Sequence, residues 1–137
     1  MVRQSRRRTD GARILLVEDN EDFRLLMHLT LQDAGYQVDV ATCAEDAVRL
    51  LERRSYNLLV SDYSLPGCSG LWLLSKAFER KLISADATLL VTGDPEAPDI
   101  DQRLTVMAKP VDFARLLSHI RTTLENNHVA DRAGAAA

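Results

Sequence analysis

The sequence predicts a single α/β domain built on one five-stranded parallel sheet, doubly wound with helices on both faces. Three observations predict it. Short apolar runs alternate with longer amphipathic stretches from Ala12 to Leu124, the pattern of successive βαβ units. The runs are almost continuously apolar, as suits strands covered on both faces. A chain of 137 residues with 46% apolar content can bury one sizeable core and is too short for two ordinary domains.

The strands are read at ARILLV (12–17), QVDVA (37–41), NLLVSD (57–62), ATLLVT (87–92) and LTVMA (104–108). After the first, Phe23, Leu26, Met27, Thr30, Leu31 and Ala34 recur at helical spacing on one face, and Gly35 offers a stop. The second helix opens with Thr42 and Glu45 spaced as a capping box and turns Ala44, Ala47, Val48 and Leu51 inward. Leu71, Leu74 and Phe78 mark a third helix, with Trp72 partly buried at its start. Phe113, Leu116, Leu117, Ile120 and Leu124 mark the last. Between strands four and five, DPEAPDIDQR carries Pro95 and Pro98 without apolar periodicity, so the fourth helix of the series is expected to be short or missing. The folded domain is expected over 12–126. Residues 1–11, with Arg3, Arg6, Arg7 and Arg8, are expected as a disordered basic tail, and 127–137 as a second disordered tail too small for a DNA-binding module.

Twenty acidic and 17 basic residues leave a formal charge of −3, too weak a field to imply general affinity for nucleic acid or membranes. No run approaches the roughly 20 apolar residues of a membrane span, and the basic head precedes no signal-type apolar stretch, so a cytoplasmic protein is expected. Cys43 and Cys68 form no CxxC pair and no cluster with histidine, which indicates neither zinc nor a disulfide scaffold. Cys68 has no cation nearby in sequence to lower its thiol pKa, and the inert reading is preferred. His28 and His119 read as ordinary helix residues, and Pro66 and Gly67 as turn chemistry.

In an open α/β sheet the functional crevice lies beyond the carboxyl ends of the strands. There the first strand runs into Glu18 and Asp19, the third ends in Asp62, the fourth ends in Thr92, and the fifth is followed by Lys109 and Pro110. Strands about 4.8 Å apart would bring these groups into one small site. Two unit charges about 4 Å apart repel by roughly 4 kcal/mol at an effective dielectric near 20, so three carboxylates require a compensating cation. Oxygen donors without histidine or cysteine favour a hard ion, and a site completed by water and a phosphoryl group suits Mg²⁺ better than Ca²⁺. Asp62 could then attack a phosphoryl group in line and become an acyl phosphate. Lys109 would neutralise charge on the phosphoryl oxygens, and Thr92 would donate a hydrogen bond to one of them.

With ILLVEDN, Asp62 in LLVSDYSLPG, Thr92 in LLVTG and Lys109 in KP, in that order at successive strand ends, the chain resembles the response-regulator receiver domains of bacterial two-component and phosphorelay systems over residues 12–126. The resemblance implies the flavodoxin-like strand order 2-1-3-4-5. It implies that Glu18, Asp19, Asp62 and the backbone carbonyl of Ser64 hold Mg²⁺. Asp62 would accept the phosphoryl group from a sensor histidine kinase or histidine phosphotransfer protein, and Thr92 and Lys109 would sense it. The side chains of Ser64 and Asp94 would tune hydrolysis. Output would be altered binding to a downstream protein, without direct DNA binding. The chain would be no enzyme beyond gaining and losing phosphate on its own aspartate.

Two departures bear on output. The position three before the lysine, usually an aromatic switch in the family, is Val106, and the segment from Thr92 to Lys109 is short and proline-rich. They keep open an alternative, a receiver-like interaction module that works without phosphorylation. An aspartyl phosphatase is disfavoured because the place for its second acid is Ser64, and a flavin site because the loop EDNED would repel phosphate.

Overall fold

The computed structural model describes residues 11–93 and 101–136, with side chains described as far as Asn127. The elements are β1 (Arg13–Val17), α1 (Glu21–Asp33), β2 (Gln37–Ala41), α2 (Ala44–Arg53), β3 (Leu58–Asp62), α3 (Gly70–Glu79), β4 (Thr88–Thr92), β5 (Thr105–Ala108) and α4 (Phe113–Ala136), with one 3₁₀ turn at Ala85–Ala87. All five strands are parallel, in the order β2-β1-β3-β4-β5, as expected.

Alternation along the strands sorts the core into two layers. Leu15, Val17, Leu59 and Leu90 point to the side covered by α2 and α3. Ile14, Leu16, Leu58, Val60, Leu89 and Val91 point to the side covered by α1 and α4. Continuous burial holds for β3 and β4 and nearly throughout β1, but not for the edges, since β2 exposes Gln37 and Val40 and β5 exposes Val106 and Ala108. An edge strand lacks a neighbour on one side, so its apolar residues are covered less completely.

The helices keep their expected places with corrections to their faces. On α1 the buried pair is Met27 and Leu31, whereas Leu26 is 50% exposed and Ala34 is exposed too. The stripe at i, i+4 through Phe23, Met27 and Leu31 meets the sheet, and Leu26 stands about 100° from it. Asn20 caps this helix by accepting from the Phe23 N–H, and Gly35 ends it at φ 101°, a left-handed conformation that glycine adopts without strain. The capping box at Thr42 and Glu45 does not form. The N-cap is Cys43, and the Glu45 carboxylate bonds its own backbone N–H and both thiols. On α3 the buried residues are Gly70, Leu73, Leu74 and Ala77, while Leu71 and Phe78 lie at the margins. Leu116, Ile120 and Leu124 are the buried stripe of α4.

That last helix runs to Ala136, past the expected boundary at Asn126. Its final stretch contains Ala130, Ala133, Ala135 and Ala136, strong helix formers that extend a helix already anchored in the core. Residue 11 alone of the expected N-terminal tail is described, and the proline-rich segment expected to shorten the fourth helix falls largely on 94–100, outside the described residues. Between β4 and β5 the described residues contain no helix.

One glycine controls how α3 meets the sheet. A Cβ on Gly70 would lie 2.8 Å from the Tyr63 carbonyl oxygen and closer still to that of Asp62. Both are backbone atoms that cannot swing aside, and the Gly70 N–H donates to Tyr63 at 2.9 Å. We expect Gly70→Ala to cost about 1–3 kcal/mol in urea unfolding, as overpacking does. Half-buried His119 on α4 carries a second expectation. Burial lowers its pKa below the ordinary 6.5, so the folded state binds fewer protons than the unfolded state in the interval just below that value. Its contribution is complete above about pH 6.5 and is lost on acidification. The fall in melting temperature from pH 7 to 5 is therefore expected to be smaller in His119→Gln than in wild type.

Candidate functional site

The carboxyl ends of β1, β3, β4 and β5 assemble one acidic crevice. Carboxylate oxygens of Glu18, Asp19 and Asp62 all lie within 4.8 Å of one another. Glu18 is 2% and Asp62 6% exposed, while Asp19 faces solvent. Lys109 reaches in from the end of β5, with Nζ 2.9 Å from Asp62 Oδ2 and 3.6 Å from Glu18 Oε1. Three carboxylates against one ammonium leave the crevice net negative.

The strand ends explain the convergence. Glu18 directly follows β1, and its backbone N–H donates to Ala41 at 3.0 Å, so the pairing with β2 is carried one residue beyond the strand. Asp62 is the last residue of β3 and stands opposite Val91, which places buried Thr92 one step beyond it on β4. Thr92 in turn accepts the Lys109 backbone N–H at 2.8 Å, tying the two strand ends together. The Lys109–Pro110 peptide is cis. Ser64 enters through its backbone N–H, which donates to Asp62 Oδ1 at 3.1 Å. Asp94 lies outside the described residues. The five groups expected at the strand ends thus share one end of the sheet, where the three carboxylates cluster and Lys109 pairs with two of them, Glu18 and Asp62.

Burial and charge act on the site in opposite directions. Loss of solvent pushes the Glu18 carboxyl up. The N–H of Asn20, donating to Glu18 Oε2 at 3.0 Å, and the Lys109 charge pull it down, while Asp62 adds to the rise. For Lys109, partial burial disfavours the charged form, but the hydrogen bond to Asp62 and the charges of Glu18 and Asp62 outweigh it and hold the amine above its ordinary value. The lysine is therefore a fixed cation at neutral pH. Two buried carboxylates, one exposed carboxylate and no nitrogen or sulfur donor fit a hard divalent ion such as Mg²⁺.

Three contacts around the crevice went unassigned in the sequence. Arg24 donates to the carbonyls of Glu18 and Asp19 at 3.1 and 3.3 Å, holding the turn that presents both acids. Phe23 places its ring under the Lys109 ammonium, with Nζ 4.9 Å from the centroid, and Phe113 packs on Phe23 at 6.4 Å. Glycine at position 70 lets α3 approach the Asp62 carbonyl. The spacing of Arg24 after EDN was the only available hint, since each contact depends on three-dimensional placement. Cys68 behaves as expected: a hydrogen bond to Glu45 holds its thiol above the ordinary value, the opposite of activation. Among the described residues no helix is long and apolar enough to cross a membrane.

Known proteins resemble this chain in sequence and fold. The model of the response regulator receiver domain matches residues 14–121. An uncharacterized 14.6 kDa protein of Leptolyngbya boryana is 42% identical over 111 residues, which cover 76% of this chain and 83% of that protein. The uncharacterized transcriptional regulatory protein YkoG of Bacillus subtilis is 32% identical over 119 residues, 83% of this chain. The match covers 51% of YkoG, so the chain spans about half the length of that regulator. Among solved structures, response regulator TrrA of Thermotoga maritima, in complex with Mg²⁺ and BeF, has a TM-score of 0.73 at 28% identity, covering 82% of this chain and 98% of TrrA. With the family model spanning most of the sequence and the acidic crevice in place at the strand ends, this chain belongs to the response regulator receiver domain family.

Proposed function

We propose that the chain accepts a phosphoryl group on Asp62 from a phosphohistidine of a sensor histidine kinase or histidine phosphotransfer protein, in the cytoplasm. The observation that carries this reading is the Lys109 ammonium 2.9 Å from Asp62 Oδ2, the one cation that, among the described residues, pairs with the buried carboxylates of Asp62 and Glu18. Glu18, Asp19, Asp62 and the Ser64 carbonyl would hold Mg²⁺. When bound, Mg²⁺ supplies neutralisation of the phosphoryl oxygens and of the carboxylates' mutual repulsion.

The chain's own residues then have separate tasks. An Asp62 carboxylate oxygen forms the new bond to phosphorus while the bond from phosphorus to imidazole nitrogen breaks, and the imidazole leaves with a proton from solvent. Lys109 sits where negative charge develops on the phosphoryl oxygens, already oriented before the reaction begins. The Thr92 hydroxyl donates to the phosphoryl group once it is in place. By the family resemblance, the side chains of Ser64 and Asp94 would tune hydrolysis of the acyl phosphate. The exposed apolar residues Leu25, Leu26 and Leu29 on α1, the helix following Glu18 and Asp19, support a protein as phosphodonor. The product signals by changed affinity for a downstream protein, and the chain catalyses nothing beyond its own modification.

A second reading, a docking module indifferent to phosphate, is favoured by one observation. Val106, in the family's aromatic position, is 50% exposed on β5 and has no ring to swing inward. It requires equal partner affinity with and without beryllofluoride.

Incubation with acetyl phosphate and Mg²⁺ is expected to add one phosphate per chain by intact mass, and none to Asp62→Asn or in excess EDTA. An equal gain in Asp62→Asn would remove the assignment. Lys109→Gln is expected to slow the gain by about 10²-fold, the usual loss when one preorganised donor to developing charge is deleted. A rate within twofold of wild type would exclude that role.

A further inference from the structure

We propose that Phe23 is the positioning residue for Lys109, fixing the ammonium against Asp62 through the face of its ring. The inference rests on the phosphoacceptor reading above and assigns a task to a side chain outside the acidic cluster.

A lysine ammonium is a compact charge on a flexible four-carbon stem, so a partner on one side does not fix its place. Lys109 is 31% exposed, and its carboxylate partners Asp62 and Glu18 are the groups that a bound cation and a phosphoryl group would engage. Once those carboxylates are occupied, the ion pairs that hold Nζ weaken. The Phe23 ring, 4.9 Å away, is an uncharged attractive surface that no cation or phosphate competes for.

The ring is itself held in place. Its backbone N–H donates to the Asn20 cap at 2.8 Å, the next residue, Arg24, is anchored on the Glu18 and Asp19 carbonyls, and Phe113 at the start of α4 packs on it with planes at 47°. Phe23 thus links the β1–α1 turn, which presents two of the acids, to the segment after β5, which presents the lysine. Simple core packing predicts a need for apolar volume at this site. Positioning predicts a need for electron density on the ring face, because the attraction follows the ring quadrupole.

Fluorination separates the two, since it keeps ring shape and apolar burial while draining the face of negative potential. Full-length chains carrying progressively more ring fluorine at Phe23, ending at pentafluorophenylalanine, are to be compared for phosphorylation rate with acetyl phosphate at saturating Mg²⁺. We expect a graded fall totalling about two- to five-fold, the size of a partly exposed cation–π contact. Phe23→Trp should retain the wild-type rate and Phe23→Leu should match the fluorinated end point. Melting temperature and Mg²⁺ affinity should stay flat across the fluorinated series. A flat rate series, or rates that follow melting temperature instead of ring electron density, would overturn the inference and leave the phosphoacceptor reading intact. Absence of any phosphate gain in wild type would overturn both.

Discussion

Like charges crowd at one end of this sheet, and the fold must hold them there. Glu18 and Asp62 are nearly inaccessible to water, Asp19 is beside them, and among the described residues Lys109 is the single ammonium in contact with the buried pair. Such an arrangement is unfavourable in isolation, because each carboxylate gives up solvent and gains a like-charged neighbour. It persists because β1, β3 and β4 are the most completely buried strands, so the backbone that carries the acids cannot yield. The hydrophobic sheet thereby holds a local electrostatic strain that a hard cation in the crevice would relieve.

The rigidity is supplied by neighbours of the acids as much as by the acids. Arg24 fastens the turn after β1, the Asn20 N–H steadies Glu18, the Ser64 N–H steadies Asp62, and Thr92 fastens the start of the Lys109 segment. Each of these is a backbone-directed contact, so the geometry is set mainly by main chain. The family's sequence motifs point to the side chains proposed to react, whereas the structure reveals the polar frame around them.

That difference explains what could be read in advance. Parallel pairing and the convergence of Glu18, Asp19, Asp62, Thr92 and Lys109 at one end follow from apolar runs with polar residues at or just beyond their ends, a pattern visible in one dimension, whereas the strand order is legible only through the family resemblance. Helix faces were less legible. Leu26 lies next to Met27 in the chain, and only the rotation of α1 against the sheet decides which is covered. The spacing of Thr42 and Glu45 satisfied a capping rule, but the helix began one residue later and the carboxylate found thiol partners. Phe23 and Phe113 are 90 positions apart in the chain, and nothing local pairs them. Gly70 carried no signal beyond its identity, since its requirement comes from two carbonyls of the preceding strand end.

The parallel order of the sheet has a consequence for how the protein comes into being. Because β1, β3, β4 and β5 each deliver one piece of the crevice, the acids emerge early during synthesis and their ammonium partner emerges only after β5. A chain halted before Lys109 possesses the acidic residues without their counter-charge, and it lacks the last helix, which completes one layer of the core. The crevice therefore gains its counter-charge and one of its covering helices from the same stretch of chain.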